Sequence, residues 1–171
     1  FAVGLTFFSI GLFKKIIIAD GISKYANSAF DQVAAGAIPN FTEAWSGALS
    51  YAFQLYFDFS GYADMAIGLA CMFGIWLPLN FNSPYKAHNI IEFWRRWHIT
   101  LSRFMRNYLY IPMGGASKGN IYQLRNLLLT MLLGGLWHGA GWNFIICVVF
   151  WLSVPHQNNF HLETYAPLRG K

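Results

Sequence analysis

Charge is what this sequence has least of. Asp, Glu, Lys and Arg together make up 11% of its 171 residues, against 56% apolar and 19% aromatic. Soluble domains carry about a quarter charged residues, so a chain wetted on all sides is excluded and a bilayer is the implied solvent. Cysteine is nearly absent. Cys71 and Cys147 lie far apart in apolar segments without CxxC spacing, which excludes a disulfide framework and a zinc site. GxSxG, Walker and HExxH motifs are missing, and with them the soluble hydrolase, nucleotide-driven pump and metalloprotease readings. There are no internal repeats. There is also no basic start followed by a short apolar core and a small-residue cleavage site. The net charge of +5 comes without any nucleic-acid motif, and basic residues beside apolar runs are better read as topology signals. No nucleic-acid partner is expected.

What is present is a series of apolar segments with polar stretches between them, which keep the mean hydropathy at +0.36. About 20 residues cross a bilayer as a helix, so three or four passes fit, giving an all-α, polytopic membrane helical bundle. The chain opens in mid-hydrophobic run at Phe1 without a Met, as expected of a piece of a longer protein. Residues 1–18 are apolar except for Lys14 and Lys15. Residues 20–43 are polar, with Gly36 and Pro39 marking a turn and Thr42 and Glu43 as helix-start residues. Residues 46–77 form the longest nearly apolar stretch, either one tilted helix or two half-helices, interrupted by Asp58 and Asp64. These aspartates have two readings: hydrogen bonding between helices, or a place beside a substrate path, orienting a histidine.

From 86 to 125 there are seven Lys or Arg and one acid, Glu92, which marks a cytoplasmic segment and puts residues 20–43 outside. Lys14 and Lys15 fit that scheme poorly. Within the basic segment, residues 89–110 read as one amphipathic helix, interfacial or re-entrant. Phe93, Trp97, Leu101, Phe104 and Tyr108 share a face opposite Arg95, Arg96, Arg103 and Arg106. The arginines suit anionic headgroups, or the phosphates or acidic carrier of an incoming donor. Pro112, Gly114 and Gly115 end the helix.

Residues 127–143, LLLTMLLGGLWHGAGWN, then carry a single ionisable side chain, His138. A histidine at membrane depth is a functional residue by default, and the alternative is a hydrogen bond between helices. Counted from Asn126, His138 lies about 18 Å along a helix, near the middle of a hydrocarbon core about 30 Å thick. Residues 142–154 offer a short further span. Residues 155–171 turn polar, and His156 and His161 there read as solvated.

Four stretches taken together resemble the membrane-bound O-acyltransferase (MBOAT) family. They are FDFSGYADMAIG at 57–68, LPLNFNSPY at 77–85, FWRRWHITL continuing into SRFMRNYLYIPMGG from 93, and the WHG of 137–139. Within the family the match is to the alginate O-acetylation (AlgI-type) branch, with the D-alanyl transfer protein of teichoic acid synthesis more distant. The resemblance implies a partial membrane domain over 1–154 and a tail, 155–171, outside the family pattern, as a truncated or frame-disrupted gene would leave. It implies that His138 matches the catalytic histidine and His98 a second histidine of this branch. Trp97, Trp137, Asn143, Asp58 and Asp64 are then the expected substrate-binding residues, and Arg95, Arg96, Arg103 and Arg106 the donor-side basic face.

The implied reaction moves an acyl group, acetyl by this branch, from a cytoplasmic thioester, acetyl-CoA or an acyl carrier, towards an extracytoplasmic polysaccharide hydroxyl such as alginate. The acceptor is the polysaccharide or a periplasmic acyl-accepting partner protein. No bound cofactor or metal is expected; the thioester is a substrate. A neutral imidazole takes the hydroxyl proton, an apolar setting disfavours its charged form, and exclusion of water protects the thioester. The oxyanion donor stays open among His98, Asn143 and backbone N–H groups. The expected location is the bacterial inner membrane, multi-pass, in contact with lipid. Two other classes compete: a transporter or channel subunit, which also carries intramembrane Asp and His, and an inactive truncated fragment, since three or four passes are too few to enclose a tunnel.

Overall fold

The structure, a computed structural model, describes residues 1–117 and 119–139. All regular structure among the described residues is helical. Helix α1 (Ala2–Phe13) runs through a π-helical turn (Lys14–Ala19) into α2 (Asp20–Ala34), so that Ala2–Ala34 is continuous over 33 residues, about 50 Å at 1.5 Å per residue. The first half of the expected polar turn region, 20–43, is therefore helical. Gly36, at φ +90°, opens the turn that follows. Helix α3 (Phe41–Met72) is a single uninterrupted helix of 32 residues, not two halves. It starts slightly earlier than Thr42: Asn40 Oδ1 accepts from the Glu43 N–H at 3.0 Å, and Glu43 Oε2 accepts from the Asn40 N–H at 2.9 Å. Two otherwise orphaned N–H groups are satisfied reciprocally.

The chain divides into two units, Phe1–Ala87 with Arg96–Ile99, and His88–Arg95 with the chain from Thr100 on. Each is described by itself. In the first, the α1–α2 rod lies antiparallel to α3, and the reason is missing side chains. A Cβ added to Gly4 or Gly11 would stand 2.6 Å from the carbonyl oxygens of Gly68 and Gly61 respectively, and one on Gly68 would stand 2.5 Å from the Phe8 nitrogen. Further along, a Cβ on Gly47 would lie 2.7 Å from that of Ala29. Small residues at seven-residue spacing on both helices let the backbones touch.

The expectation of one helix over 89–110 is overturned, at residues that divide between the two units. Helix α4 covers Ile90–Arg96, helix α5 covers Ile99–Phe104 and extends through a π-helical turn (Met105–Tyr110), and the helix is broken at Trp97 and His98. Gly114 and Gly115 take φ +104° and +52° in the turn beyond. Helix α6 (Asn120–His138) starts six residues before Asn126 and ends on His138. The segments 142–154 and 155–171, with Asn143, Cys147, His156 and His161, lie outside the described residues.

Among the described residues one helix, Ala2–Ala34, is long and apolar enough to cross a membrane, with a window of mean hydropathy 1.8. Three or four passes were expected. Tyr51, Gln54, Asp58, Tyr62 and Asp64 dilute α3, and Gln123, Arg125 and Asn126 fill the second turn of α6. Large apolar side chains nevertheless stand exposed along these helices, among them Phe13, Trp45, Leu49, Leu69 and Leu133. Exposed apolar side chains of that size suit lipid or more protein.

Gly68→Leu is expected to lower the melting temperature of the detergent-solubilised protein by several degrees, since overpacking costs about 1–3 kcal/mol. Gly21→Leu, where nothing lies within 4 Å of the added Cβ, is expected to leave it within a degree or two. Equal melting of both variants in fluorescence-detected size-exclusion profiles would show that the glycine contact does not hold the pair.

Candidate functional site

His98 sits at the helix break with φ +43°, in the left-handed region that a non-glycine residue enters at a cost, though His does so more readily than most. The loop before α4 compensates. Its residues 80–82 form two main-chain hydrogen bonds across the break, Ile99 N–H to Asn80 C=O and Asn82 N–H to Arg96 C=O, both 2.9 Å. The Arg96 guanidinium reaches the same Asn82 carbonyl at 3.3 Å. Asn80 Oδ1 lies 3.0 Å from His98 Nδ1. Around them the rings interlock. Phe59 of α3 meets the His98 ring edge-on at 4.7 Å, Phe81 stacks on it at 6.3 Å, and Trp97 packs against Phe81, Tyr56 and Tyr85. The Tyr85 hydroxyl donates to the Ala52 carbonyl at 2.8 Å. Burial, and then Tyr56 beside it, push that phenol above its ordinary range, so it remains a donor.

Asp58 and Asp64 hold lysines. Lys14 Nζ is 2.6 Å from Asp64 Oδ2, and Lys15 Nζ is 2.7 Å from Asp58 Oδ1 and 3.1 Å from Asp20 Oδ1. Both lysines lie in the π-helical turn. This explains why they fit the charge rule poorly: they are partners of α3 and not flanking charges. The group facing His98 is Asn80, and the expected carboxylate is engaged elsewhere.

In the second unit, Asn89 caps α4, its Oδ1 accepting from the Glu92 N–H at 2.8 Å while Glu92 Oε2 accepts from the His88 N–H at 2.8 Å. The arginines of the expected basic face divide between the two units. Arg96 belongs with the loop of the first unit, Arg95 and Arg103 are exposed, and Arg106 Nη1 contacts Asn107 at 3.3 Å. Asn126, fully buried, pins the Gly114–Gly115 turn: its Nδ2 donates to the Met113 and Gly115 carbonyls at 3.1 and 2.9 Å, and its Oδ1 accepts from Arg125 at 2.9 Å. Helix α6 ends with exposed Trp137, then His138, and Gly139 follows at φ 151°, ψ 148°, a conformation essentially confined to glycine. The glycine after His138 is thus required by the backbone. Among the described residues no group of three or more His, Cys, Asp or Glu is placed to hold a metal ion.

Two residues of this arrangement escaped the sequence reading, Asn80 and Asn126. The repeated asparagine in NFN and the N-x-x-x-T pair of Asn126 and Thr130, whose hydroxyl donates to the Asn126 carbonyl at 2.7 Å, were the available signals.

The family model for the membrane-bound O-acyltransferases, MBOAT, matches residues 1–154. The chain belongs to that family. It is 60% identical over 145 residues to a peptidoglycan O-acetyltransferase of Helicobacter pylori, covering 85% of this chain and 27% of that protein. It is 53% identical over 175 residues to a probable alginate O-acetylase AlgI of Azotobacter vinelandii, covering 99% of this chain, including most of the polar tail, and 34% of that protein. A teichoic acid D-alanyltransferase of Bacillus subtilis is 36% identical over 104 residues, 56% of this chain and 26% of that protein. The chain thus spans about a third or less of the length of these relatives. As a family member it is a membrane protein, and its exposed apolar helices are accounted for. The MBOAT stretches recognised in the sequence correspond to α3, to the loop and helix break that hold His98, and to the end of α6.

Asp64→Leu alone is expected to destabilise the protein by a few kcal/mol, because it strands a half-buried lysine. The double variant Lys14→Met, Asp64→Leu is expected to recover most of that loss in the same melting assay. A double variant no better than the single would remove the ion pair as the reason for these charges.

Proposed function

We propose that this chain forms part of a multi-pass bacterial inner-membrane O-acyltransferase that moves an acetyl group from a cytoplasmic thioester to a glycan hydroxyl outside. His138 is the general base, taking the proton of the attacking hydroxyl as its oxygen bonds to the acyl carbon and the thiolate leaves. The observation that carries this reading is the WHG element at the end of α6, inside the family match, where the backbone at Gly139 admits only glycine. Trp137 and Asn143 are the neighbours in sequence that we assign to substrate, along with Trp97. The ion pairs of Asp58 and Asp64 make a direct substrate role for them the weaker assignment. Arg95, Arg103 and Arg106 suit the phosphates or acidic carrier of the donor, on the side the basic segment assigns to the cytoplasm.

The identity to a peptidoglycan O-acetyltransferase favours a second acceptor beside alginate. Both are polysaccharides whose sugar hydroxyls make the same chemical demand on a base.

His138→Ala in the full-length protein is expected to lower glycan O-acetylation at least about 10²-fold, the contribution of a general base, with membrane level unchanged. Mass spectrometry of muropeptides and of alginate from the same cells reads both acceptors. Near-normal acetylation of both would remove His138 as the base, and loss confined to muropeptides would select peptidoglycan.

A further inference from the structure

Arg125 lies in the second turn of α6, outside the expected donor-side face, and two groups hold its exposed guanidinium. The Oδ1 of buried Asn126 accepts from its Nε at 3.2 Å and from its Nη2 at 2.9 Å. The Tyr122 ring centre is 5.1 Å from the guanidinium carbon. Asn126 donates in turn to the Met113 and Gly115 carbonyls, so the amide that orients the arginine is itself anchored. Both partners are neutral. Among the described residues no carboxylate pairs with Arg125, and the first turn of α6 carries no acid. The terminal edge of the fork, Nη1 and the second N–H of Nη2, has no partner there either. That edge matches two oxygens of a phosphate.

The surface around this cation is apolar. Residues three and four apart on a helix are surface neighbours, and for Arg125 these are Ile121, Tyr122, Leu128 and Leu129. All four are exposed, by 83, 46, 37 and 42%. Leu133, one turn beyond Leu129, is exposed by 47%, and residues 127–137 contain no charged side chain. A fixed cation therefore heads an exposed apolar strip. A soluble anion suits the head of that strip alone. An amphiphile with an anionic head and hydrocarbon tails suits all of it.

We propose that this face of α6 binds one anionic phospholipid, its phosphate on the Arg125 fork and its acyl chains along Leu128, Leu129 and Leu133. Phosphatidylglycerol has the right chemistry. Phosphatidylethanolamine is the poorer ligand, since its own ammonium competes for the phosphate. Tyr122 contributes a cation–π contact and the amphipathic ring typical of the level where hydrocarbon meets headgroups. A headgroup held at Arg125 sets the depth of α6 in the bilayer, with His138 about 20 Å further along the helix. The site needs neither His138 nor a thioester, so it stands apart from the acyl-transfer reading.

The test is native mass spectrometry of the full-length protein released from nanodiscs of phosphatidylglycerol and phosphatidylethanolamine in equal amounts. The last lipid to dissociate from wild type on collisional activation is expected to be phosphatidylglycerol. Arg125→Gln, whose amide can still donate to Asn126, is expected to lower its retention about tenfold, the scale of a charge-assisted hydrogen bond. Arg125→Lys keeps the charge without the fork, and Tyr122→Leu keeps the arginine without the ring; both are expected to fall between. Lys24→Gln, which removes an exposed cation from α2, is expected to change nothing. Retention indifferent to Arg125→Gln, or lost equally in Lys24→Gln, would overturn the proposal. A wild type with no preference between the lipids would overturn it too, and would show that the rest of the protein covers this face. A raised KM for the acetyl thioester in Arg125→Gln, with lipid retention unchanged, would assign the fork to the phosphates of the donor instead.

Discussion

Backbone contact between α3 and the long helix Ala2–Ala34 is the constraint on which the first unit depends. Gly4 and Gly11 against Gly68 and Gly61 remove the side chains that would keep the helices apart, and in an apolar solvent close packing is what remains to hold helices together. At that separation the lysines of the π-helical turn fall within 2.6–2.7 Å of Asp64 and Asp58. Charges that would be costly singly are compensated, Lys14 by Asp64 and Lys15 by Asp58 and Asp20. The contact also fixes the rotation of α3, and so decides which of its rings face the loop that follows.

Phe59 and Tyr56 are those rings. They form one wall of the aromatic cluster in which residues 80–82 meet the helix break. Strain at His98 is tolerable because the surroundings over-determine it: two main-chain bonds hold its flanks, at Arg96 and Ile99, and a side-chain contact and two ring contacts hold its own ring. Left-handed non-glycine residues cluster at functional sites for this reason. In the second unit the same economy of means recurs at Asn126, where one buried amide satisfies two carbonyls of a glycine turn.

Much of this was legible in the sequence. The helical class, the capped start near Glu43, the end of the amphipathic segment at Pro112 and Gly114, and the family itself followed from apolar runs, breakers and motifs. The continuity of the helix past Ile18 to Ala34 was not, because polar residues 20–34 look in one dimension like the turn region beyond the end of a span. The break at His98 was invisible for a related reason. FWRRWHITL contains no glycine or proline, and its helical periodicity is real on both sides. The interruption is imposed by hydrogen bonds from a loop some sixteen residues earlier, and local pattern carries no record of such partners. Asn80 escaped notice likewise, since an asparagine in a loop is ordinarily a turn residue.

The central claim is that an acyl group enters from one face and is delivered to a glycan hydroxyl on the other with His138 taking the proton. Proteoliposomes of the full-length protein, with radiolabelled acetyl thioester supplied on the cytoplasmic face and acceptor oligosaccharide confined to the opposite compartment, measure this directly. The account predicts label on the enclosed oligosaccharide in wild type and background label in His138→Ala. Equal label in the two, or label only when donor and acceptor share a compartment, would contradict it.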